Sequence, residues 1–363
     1  MAIHLIMIKK LLYISVLFLL LFSSCKSKRN LVSPIPQPIL KMDSTLLADT
    51  IGLSSSLSPL LTFDQSDLRN IRHRPVKRQQ PKKPEQKIVV KPPKKIVQRG
   101  TKISSRTIDV SSVYKGVDRV KVYDFTHRDV PAAFEGFRIA FVSDLHYQSL
   151  LKEKGLNDLV RLLIAQRADV LLIGGDFHEG CQYVPPVMAA LAKVKTPMGT
   201  YAVLGNNDYE ACYDDIVKEM NRYGMHLLEH KVDTLKRDGE EILIAGVRNP
   251  FDLAKNGKSP TLDLSPDDFV ILLTHTPDYA EDVPITNTDL VLAGHTHGGQ
   301  VTLFGLYAPI VPSHYGQRFL TGLKYNSKYT PMIITNGIGT SNKNIRMFAP
   351  AEVVMIVLHQ LTD

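Results

Sequence analysis

Cysteine is scarce, with three residues in 363 at positions 25, 181 and 212. The cysteines are therefore not expected as metal ligands. A long apolar run is also missing. The stretch Leu11–Phe22 covers twelve residues, too few for a comfortable transmembrane helix but suited to the apolar region of an export signal. Acidic residues are sparse between 26 and 106, where 18 Lys and Arg face 5 Asp and Glu. From 107 to 363 the balance reverses to 24 against 31, a net charge of −7 within a chain whose total is +8. The basic character thus belongs to one segment, and a nucleic-acid-binding core is not expected.

Three regions follow from this. Residues 1–25 form a signal peptide or anchor: Lys9 and Lys10 precede the apolar run, and Ser23-Ser24 precede Cys25. Small residues before a cysteine resemble the bacterial lipobox, although Phe22 stands where that pattern prefers Leu; the alternative is an uncleaved signal anchor, and Met7 is a second candidate start. Residues 26–106 read as a basic, disordered Pro/Ser/Lys-rich tether, with Pro81-Lys82-Lys83-Pro84 and Lys91-Pro92-Pro93-Lys94-Lys95 at its centre. Its charge favours an anionic envelope polymer or lipid headgroups, or it is a solvated spacer. Residues 107–363 carry the globular pattern.

Within that part, five short apolar runs stop at hard N/O donors. Arg138–Ser143 delivers Asp144 and His146; Asp169–Gly175 delivers Asp176; Tyr201–Gly205 delivers Asn206, Asn207 and Asp208; Phe269–Thr274 delivers His275; Asp289–Gly294 delivers His295 and His297. In an α/β sheet, sites gather beyond the carboxyl ends of strands, so the five ends can converge. Helices are expected at about 152–166, from Pro185-Pro186, and over 214–223 up to Gly224. Further strands are expected within 107–124 at a sheet edge and at 241–247, 301–304, 332–335 and 352–358. Alternating β and α elements followed by a strand-rich half predict an α/β fold with sheets packed between helices.

Asp144-Leu145-His146, Gly175-Asp176, Gly205-Asn206, His275 and Gly294-His295-Thr296-His297 resemble, in order and spacing, the five blocks of calcineurin-like metallophosphoesterases. The resemblance covers roughly 135–360. The run from Thr296 to Gln300, with Leu303–Tyr315 after it, is similar to a membrane-associated bacterial branch described as phosphodiesterases or nucleotide–lipid pyrophosphatases. The resemblance implies a four-layer α/β/β/α sandwich and two divalent metal ions. Asp144, His146, Asp176 and His297 would hold one, and Asp176, Asn206, His275 and His295 the other. A water shared between the ions would become hydroxide near neutral pH and attack phosphorus in line. The all-N/O set suits Mn, Fe, Zn or Mg.

The family usually has His after Gly-Asn; here Asn207 stands there, followed by Asp208. An amide can donate a hydrogen bond but cannot act as a general acid, which favours diesters or pyrophosphates over monoesters. His178 is a candidate replacement proton donor, and Glu179 a candidate orienter of a ligand. The catalytic set is thus Asp176, Asn207, Asp208 and His178. Cys181 and Cys212 either pair or remain buried thiols. Arg318, Lys324, Lys343 and Arg346 are candidates for holding substrate phosphate, or are solvated charges. The segment from Gly298 to Tyr315 covers an acyl chain or is ordinary core.

The sequence therefore reads as a membrane-tethered dinuclear phosphoesterase of the bacterial envelope, as a lipoprotein facing the extracytoplasmic side, acting on a phosphorylated small molecule or lipid. A nucleotide–lipid substrate would instead place it on the cytoplasmic side. The rival readings are a metal-binding domain without turnover and an adaptor whose tether is the working part. Retention of all seven ligands argues against both.

Overall fold

The computed structural model describes residues 100–248 and 257–362. The export signal with Cys25, and the tether as far as residue 99, lie outside the described residues. Among the described residues no helix is long and apolar enough to cross a membrane.

Two sheets make up the domain. The first contains β1 (Thr101–Asp109), β2 (Arg119–His127), β3 (Arg138–Val142), β4 (Val170–Ile173), β5 (Thr200–Ala202), β6 (His226–Leu227) and the last strand, β13 (Glu352–Gln360). Their order is β1-β2-β13-β3-β4-β5-β6. The second contains β7 (Lys231–Arg237), β8 (Glu240–Gly246), β9 (Val270–Leu273), β10 (Leu290–Ala293), β11 (Gly322–Tyr325) and β12 (Pro331–Ile334). Their order is β11-β12-β10-β9-β8-β7. The central strands are parallel: β3 with β4 and β5 in one sheet, β8 with β9, β10 and β12 in the other.

Central strands are apolar on both faces because both faces are covered. Alternate residues divide between cores, as the period of two requires. Ile139, Phe141, Val170 and Leu172 point between the sheets and meet Ile271, Leu273, Leu290 and Leu292. Ala140, Val142, Leu171 and Ile173 face the other way, against α1 (Glu153–Gln166), α2 (Val184–Leu191) and α4 (Tyr213–Tyr223). A short helix, α3 (Asn206–Ala211), precedes α4. On the outer face of the second sheet, Val270, Leu272, Val291 and Ala293 pack with Phe319 and with Tyr279 and Ala280 of α5 (Tyr279–Asp282). The layers are thus α/β/β/α, with a thin outer layer on the second sheet. Each fully buried Leu, Ile or Phe in the middle core contributes roughly 1.5–3 kcal/mol.

Helix ends follow local chemistry. The two prolines sit in the first turn of α2, where their missing N–H groups cost nothing. Gly224 closes α4 in the left-handed region at φ 67°, a conformation glycine adopts without a Cβ penalty.

Two expectations are corrected. Among the described residues, strand structure is already present at Thr101, ahead of the expected 107: β1 pairs with β2 along nine residues, from Thr101↔His127 to Asp109↔Arg119. Only β1 lies at the edge, since β2 is flanked by β13. Residues 301–304 form no strand; Val301 and Leu303 make isolated bridges to Met347 and Tyr307. Leu303 and Phe304 are exposed, Val301 is half-buried and Thr302 is buried, so the apolar side chains of this run do not form a core.

Candidate active site

The carboxyl ends of β3, β4 and β5 meet those of β9 and β10, and the seven expected ligands come together there. Backbone geometry at the ends is unusual. Five of the seven, Asp144, His146, Asp176, His295 and His297, have positive φ values of 52, 38, 55, 68 and 53°. Non-glycine residues avoid this region, and such strain persists only where the surrounding structure over-determines it. The close approach also needs glycines. A Cβ on Gly294 would overlap Ser143 and the Asp144 carboxylate, and one on Gly205 would overlap the Asp176 carboxylate.

Hydrogen bonds aim the donors inward. The backbone N–H of His295 donates to both oxygens of Asp144 (3.1 and 2.9 Å). That of Asn207 donates to Asp176 Oδ1 (3.0 Å). His275 Nδ1 lies 2.7 Å from the Gly174 carbonyl, which can only accept, so Nε2 is left to the site. His146 Nδ1 lies 2.6 Å from Glu179 Oε1, which fixes its ring in the same sense. Asn206 Nδ2 donates to Asn207 Oδ1 (2.9 Å), leaving Asn206 Oδ1 turned inward.

Acceptors consequently face acceptors. His275 Nε2 lies 3.1 Å from His295 Nδ1, 3.3 Å from Asn206 Oδ1 and 3.5 Å from Asp176 Oδ2. His146 Nε2 is 3.3 Å from Asp176 Oδ2, and His297 Nε2 is 3.4 Å from Asp144 Oδ1. The buried His146 Nε2 and His297 Nδ1 have no hydrogen-bond partner, at a cost of about 1–3 kcal/mol each. Ligand atoms of Asp144, His146 and His297 lie within 4.8 Å of one another, as do those of Asp144, Asp176 and His275. Protons or cations between these groups reconcile the lone pairs that face each other, and the donor set fits divalent metal ions.

The electrostatics agree. Burial opposes charge on His146 and His275, yet Asp176 and its neighbours outweigh it and draw them up to about 10 and about 9. Burial pushes His295 down to about 3 and His297 well below its ordinary value, with neighbouring imidazolium charges adding to it. Burial raises Asp144; it would raise Asp176 too, but His275 and His146 hold that carboxyl well below the usual range. The same negative field that gathers protons here attracts divalent cations, and the two compete.

The other candidates separate. Asn207 is half-buried, with Nδ2 3.2 Å from His146 Nδ1. Asp208 is turned inward instead. Its fully buried carboxylate accepts the backbone N–H groups of Asp176 (2.7 Å), Gly205 (2.8 Å) and Phe177 (3.0 Å), and burial pushes its pKa up to about 7. It is a positioning residue. His178 is corrected as a proton donor: its ring is buried, Nδ1 accepts from Gly180 N–H (3.0 Å) and Nε2 points at Asp208 Oδ1 (3.7 Å). Burial also lowers its pKa, so it is held neutral. Cys181 and Cys212 form a disulfide with Cα atoms 5.3 Å apart, joining the β4 loop to the end of α3.

Two of the expected phosphate-binding cations are otherwise engaged. Arg318 pairs with both oxygens of Glu281 (3.0 and 3.1 Å). Arg346 donates to the carbonyls of His297, Asn336, Gly339 and Ala349, so it ties site loops together. Lys324 is half-buried on β11 and Lys343 is exposed. A sixth strand end was missed. After β12, Ile338 and Gly339 donate their N–H groups to the Asp144 carbonyl (3.2 and 2.8 Å). The signal was present in Thr335-Asn336-Gly337 directly after an apolar run.

Glu179→Ala is expected to weaken metal affinity about 10–100-fold by freeing the His146 ring, with Glu179→Gln recovering part of it. Competition titration with a chelating dye measures this; unchanged affinity in Glu179→Ala would sink the orienting role.

A second His/Asp group, His127, Asp129 and Asp289, lies at the opposite ends of the strands. Burial pushes Asp289 up to about 7 there. Its folded pKa exceeds the unfolded value, so its contribution to stability is intact below the unfolded pKa and is lost as pH rises through about 7. Asp289→Asn can keep the bond from Val270 N–H (2.8 Å). Its stabilising advantage is expected to grow by about 1–3 kcal/mol between pH 4 and 8. Urea melts at both pH values check this, and a pH-independent difference would contradict it.

An α/β/β/α domain here gathers Asp, His and Asn donors from both sheets at one end, a set suited to holding divalent cations. Residues 137–299 match the model of the calcineurin-like phosphoesterase family, and the chain carries a calcineurin-like metallophosphoesterase domain. The uncharacterized metallophosphoesterase YkuE of Bacillus subtilis is 29% identical over 235 residues, covering 63% of this chain and 81% of that protein. A Helicobacter pylori metallophosphoesterase is 29% identical over 252 residues, covering 68% of this chain and 65% of its own length. Among solved structures, the Haemophilus influenzae NAD nucleotidase is 17% identical with a TM-score of 0.40, over 56% of this chain and 45% of that one.

Proposed function

We propose that this protein is a membrane-tethered phosphoesterase that cleaves a phosphodiester or pyrophosphate bond, on a lipid or other envelope substrate outside the cytoplasm. The observation that carries this reading is an amide, Asn207, beside a ligand imidazole, its Nδ2 3.2 Å from His146 Nδ1. Two divalent ions held by the seven ligands would supply an activated water and neutralise charge on the phosphoryl oxygens. Asp144 and Asp176 would supply negative charge to such ions. Glu179 and the Gly174 carbonyl fix the His146 and His275 rings. Asn207 then donates a hydrogen bond towards the leaving oxygen, without a proton to transfer. Leaving groups that depart as stabilised anions lose little from this, whereas a poor alkoxide from a monoester loses most.

The test is hydrolysis of bis(p-nitrophenyl) phosphate, whose p-nitrophenolate departs as a stabilised anion, and of glycerol 2-phosphate, a monoester with a poor alkoxide leaving group, by the full chain in mild detergent with Mn²⁺. Diester turnover is expected to exceed monoester turnover. Asn207→His is expected to raise the monoester rate about 10²-fold and the diester rate far less, since general acid catalysis contributes typically about 10²–10⁴-fold. Equal rates on both substrates, unchanged by Asn207→His, would overturn the leaving-group argument. Metal binding without turnover of either would favour the non-hydrolytic domain.

A further inference from the structure

Beyond His297 the chain builds a projecting surface from two loops, 300–315 and 339–350. They are bound to each other: Thr302 N–H donates to the Met347 carbonyl (2.9 Å), Met347 N–H to the Gln300 carbonyl (2.9 Å), and Gln300 Nε2 to the carbonyls of Ser341 (3.1 Å) and Lys343 (3.0 Å). Arg346 ties the same loops to the His297 carbonyl. This surface is therefore fixed relative to the site.

Its composition is unlike a solvated loop. Leu306 is 83% exposed, Ile310 71%, Phe304 60% and Phe348 56%, with Leu303, Tyr307 and Ile345 near half. The Phe304 and Phe348 rings lie 5.5 Å apart, and both residues hold positive φ (54 and 55°), a rare state for bulky side chains. A contiguous exposed apolar patch of this kind marks an interaction surface. Charge narrows the partner. From Leu290 to Ala351 the sequence contains no Asp or Glu, although residues 107–363 carry a net −7; with Arg318 paired to Glu281 and Arg346 tied to backbone carbonyls, the remaining positive charge there is that of Lys324, Lys328 and Lys343. Exposed Lys343 sits on one of the two loops.

We propose that this loop surface inserts into the headgroup–acyl boundary of an anionic phospholipid bilayer, seating the His297 side of the site against the membrane so that the scissile phosphoester is presented at the interface. The inference rests on the tethered phosphoesterase reading and adds the orientation and an amphiphilic substrate class. Apolar residues enter such an interface by burial, while cations favour anionic headgroups.

The chain contains no Trp, so single Trp reporters are unambiguous. Full-length Leu306→Trp, Ile310→Trp and, as a control on the far helix, Ile164→Trp are reconstituted with vesicles of phosphatidylcholine alone or with phosphatidylglycerol, some brominated on the acyl chains. Blue-shifted emission and loss of intensity with brominated lipid are expected for Leu306→Trp and Ile310→Trp, more on anionic vesicles, with neither change for Ile164→Trp. Protein that floats with vesicles while these reporters keep water-exposed emission overturns the inference and leaves the tether reading intact. Protein that does not float overturns both. Quenching equal at Ile164→Trp also overturns it. A blue shift that follows protein density without bromine quenching assigns the surface to a second copy of this chain instead.

Discussion

Asp176→Asn is expected to lose at least about 10³-fold in phosphodiester turnover, equivalent to about 4 kcal/mol of transition-state stabilisation, while the fold persists. Asp176 Oδ2 faces His146 Nε2 at 3.3 Å and His275 Nε2 at 3.5 Å. Among the described residues, no other carboxylate lies this close to a ring of each proposed ligand set. Asparagine has the same shape, but it removes the charge and its amide would turn either N–H groups toward the ring nitrogens or its oxygen alone. Two neighbouring cations would then lose the group that offsets their repulsion. The fold should survive, because the Asp176 backbone N–H still donates to Asp208 and because removing a buried charge relieves desolvation. Turnover of bis(p-nitrophenyl) phosphate, Mn²⁺ binding by calorimetry and a thermal melt are measured together. Activity within tenfold of the parent, with normal metal binding, would sink the bridging role.

Much of this arrangement was legible in the sequence, for a physical reason. β3, β4, β9 and β10 are four or five residues long and buried on both faces, so each appears as an unbroken apolar run. Each then stops at a donor that has no business in a core. The same logic failed at β1, where Lys102 and Arg106 alternate with Ser and Thr on an exposed edge strand. Pairing with β2 holds that strand, and pairing leaves little trace in composition. It failed in the opposite direction at 301–304, where an apolar run points outward to solvent. Side-chain direction was the other blind spot. His178 is two residues from Asp176 yet turns into the interior, and Arg346 spends its guanidinium on backbone carbonyls. Spacing along the chain says which residues are near a site but not which way they face. The Cys181–Cys212 pairing stayed open for the same reason, since only the folded loops bring the two Cα atoms within reach.

Asp208 carries the second large expected effect, and it acts on stability before chemistry. One carboxylate accepts three buried backbone N–H groups from two loops, those of Asp176, Phe177 and Gly205. Asp208→Ala would leave all three without partners. At about 1–3 kcal/mol for each unsatisfied buried donor, the variant is expected to lose about 3–5 kcal/mol, a large share of the roughly 5–15 kcal/mol that holds an ordinary domain folded. Asp208→Asn separates structure from charge. Its single oxygen can serve the two donors now met by Oδ2, but its amide would then face the Phe177 N–H, so a loss of about 1–2 kcal/mol is expected from one broken bond. Urea denaturation of the two variants gives the comparison directly. The positioning role requires Ala to be much worse than Asn and turnover to fall in proportion to the folded fraction. If Asp208→Asn kept full stability but lost turnover by orders of magnitude, the carboxylate would be taking part in the reaction itself, and the buried network around Asp176 would have to be read as a route for protons rather than as a frame.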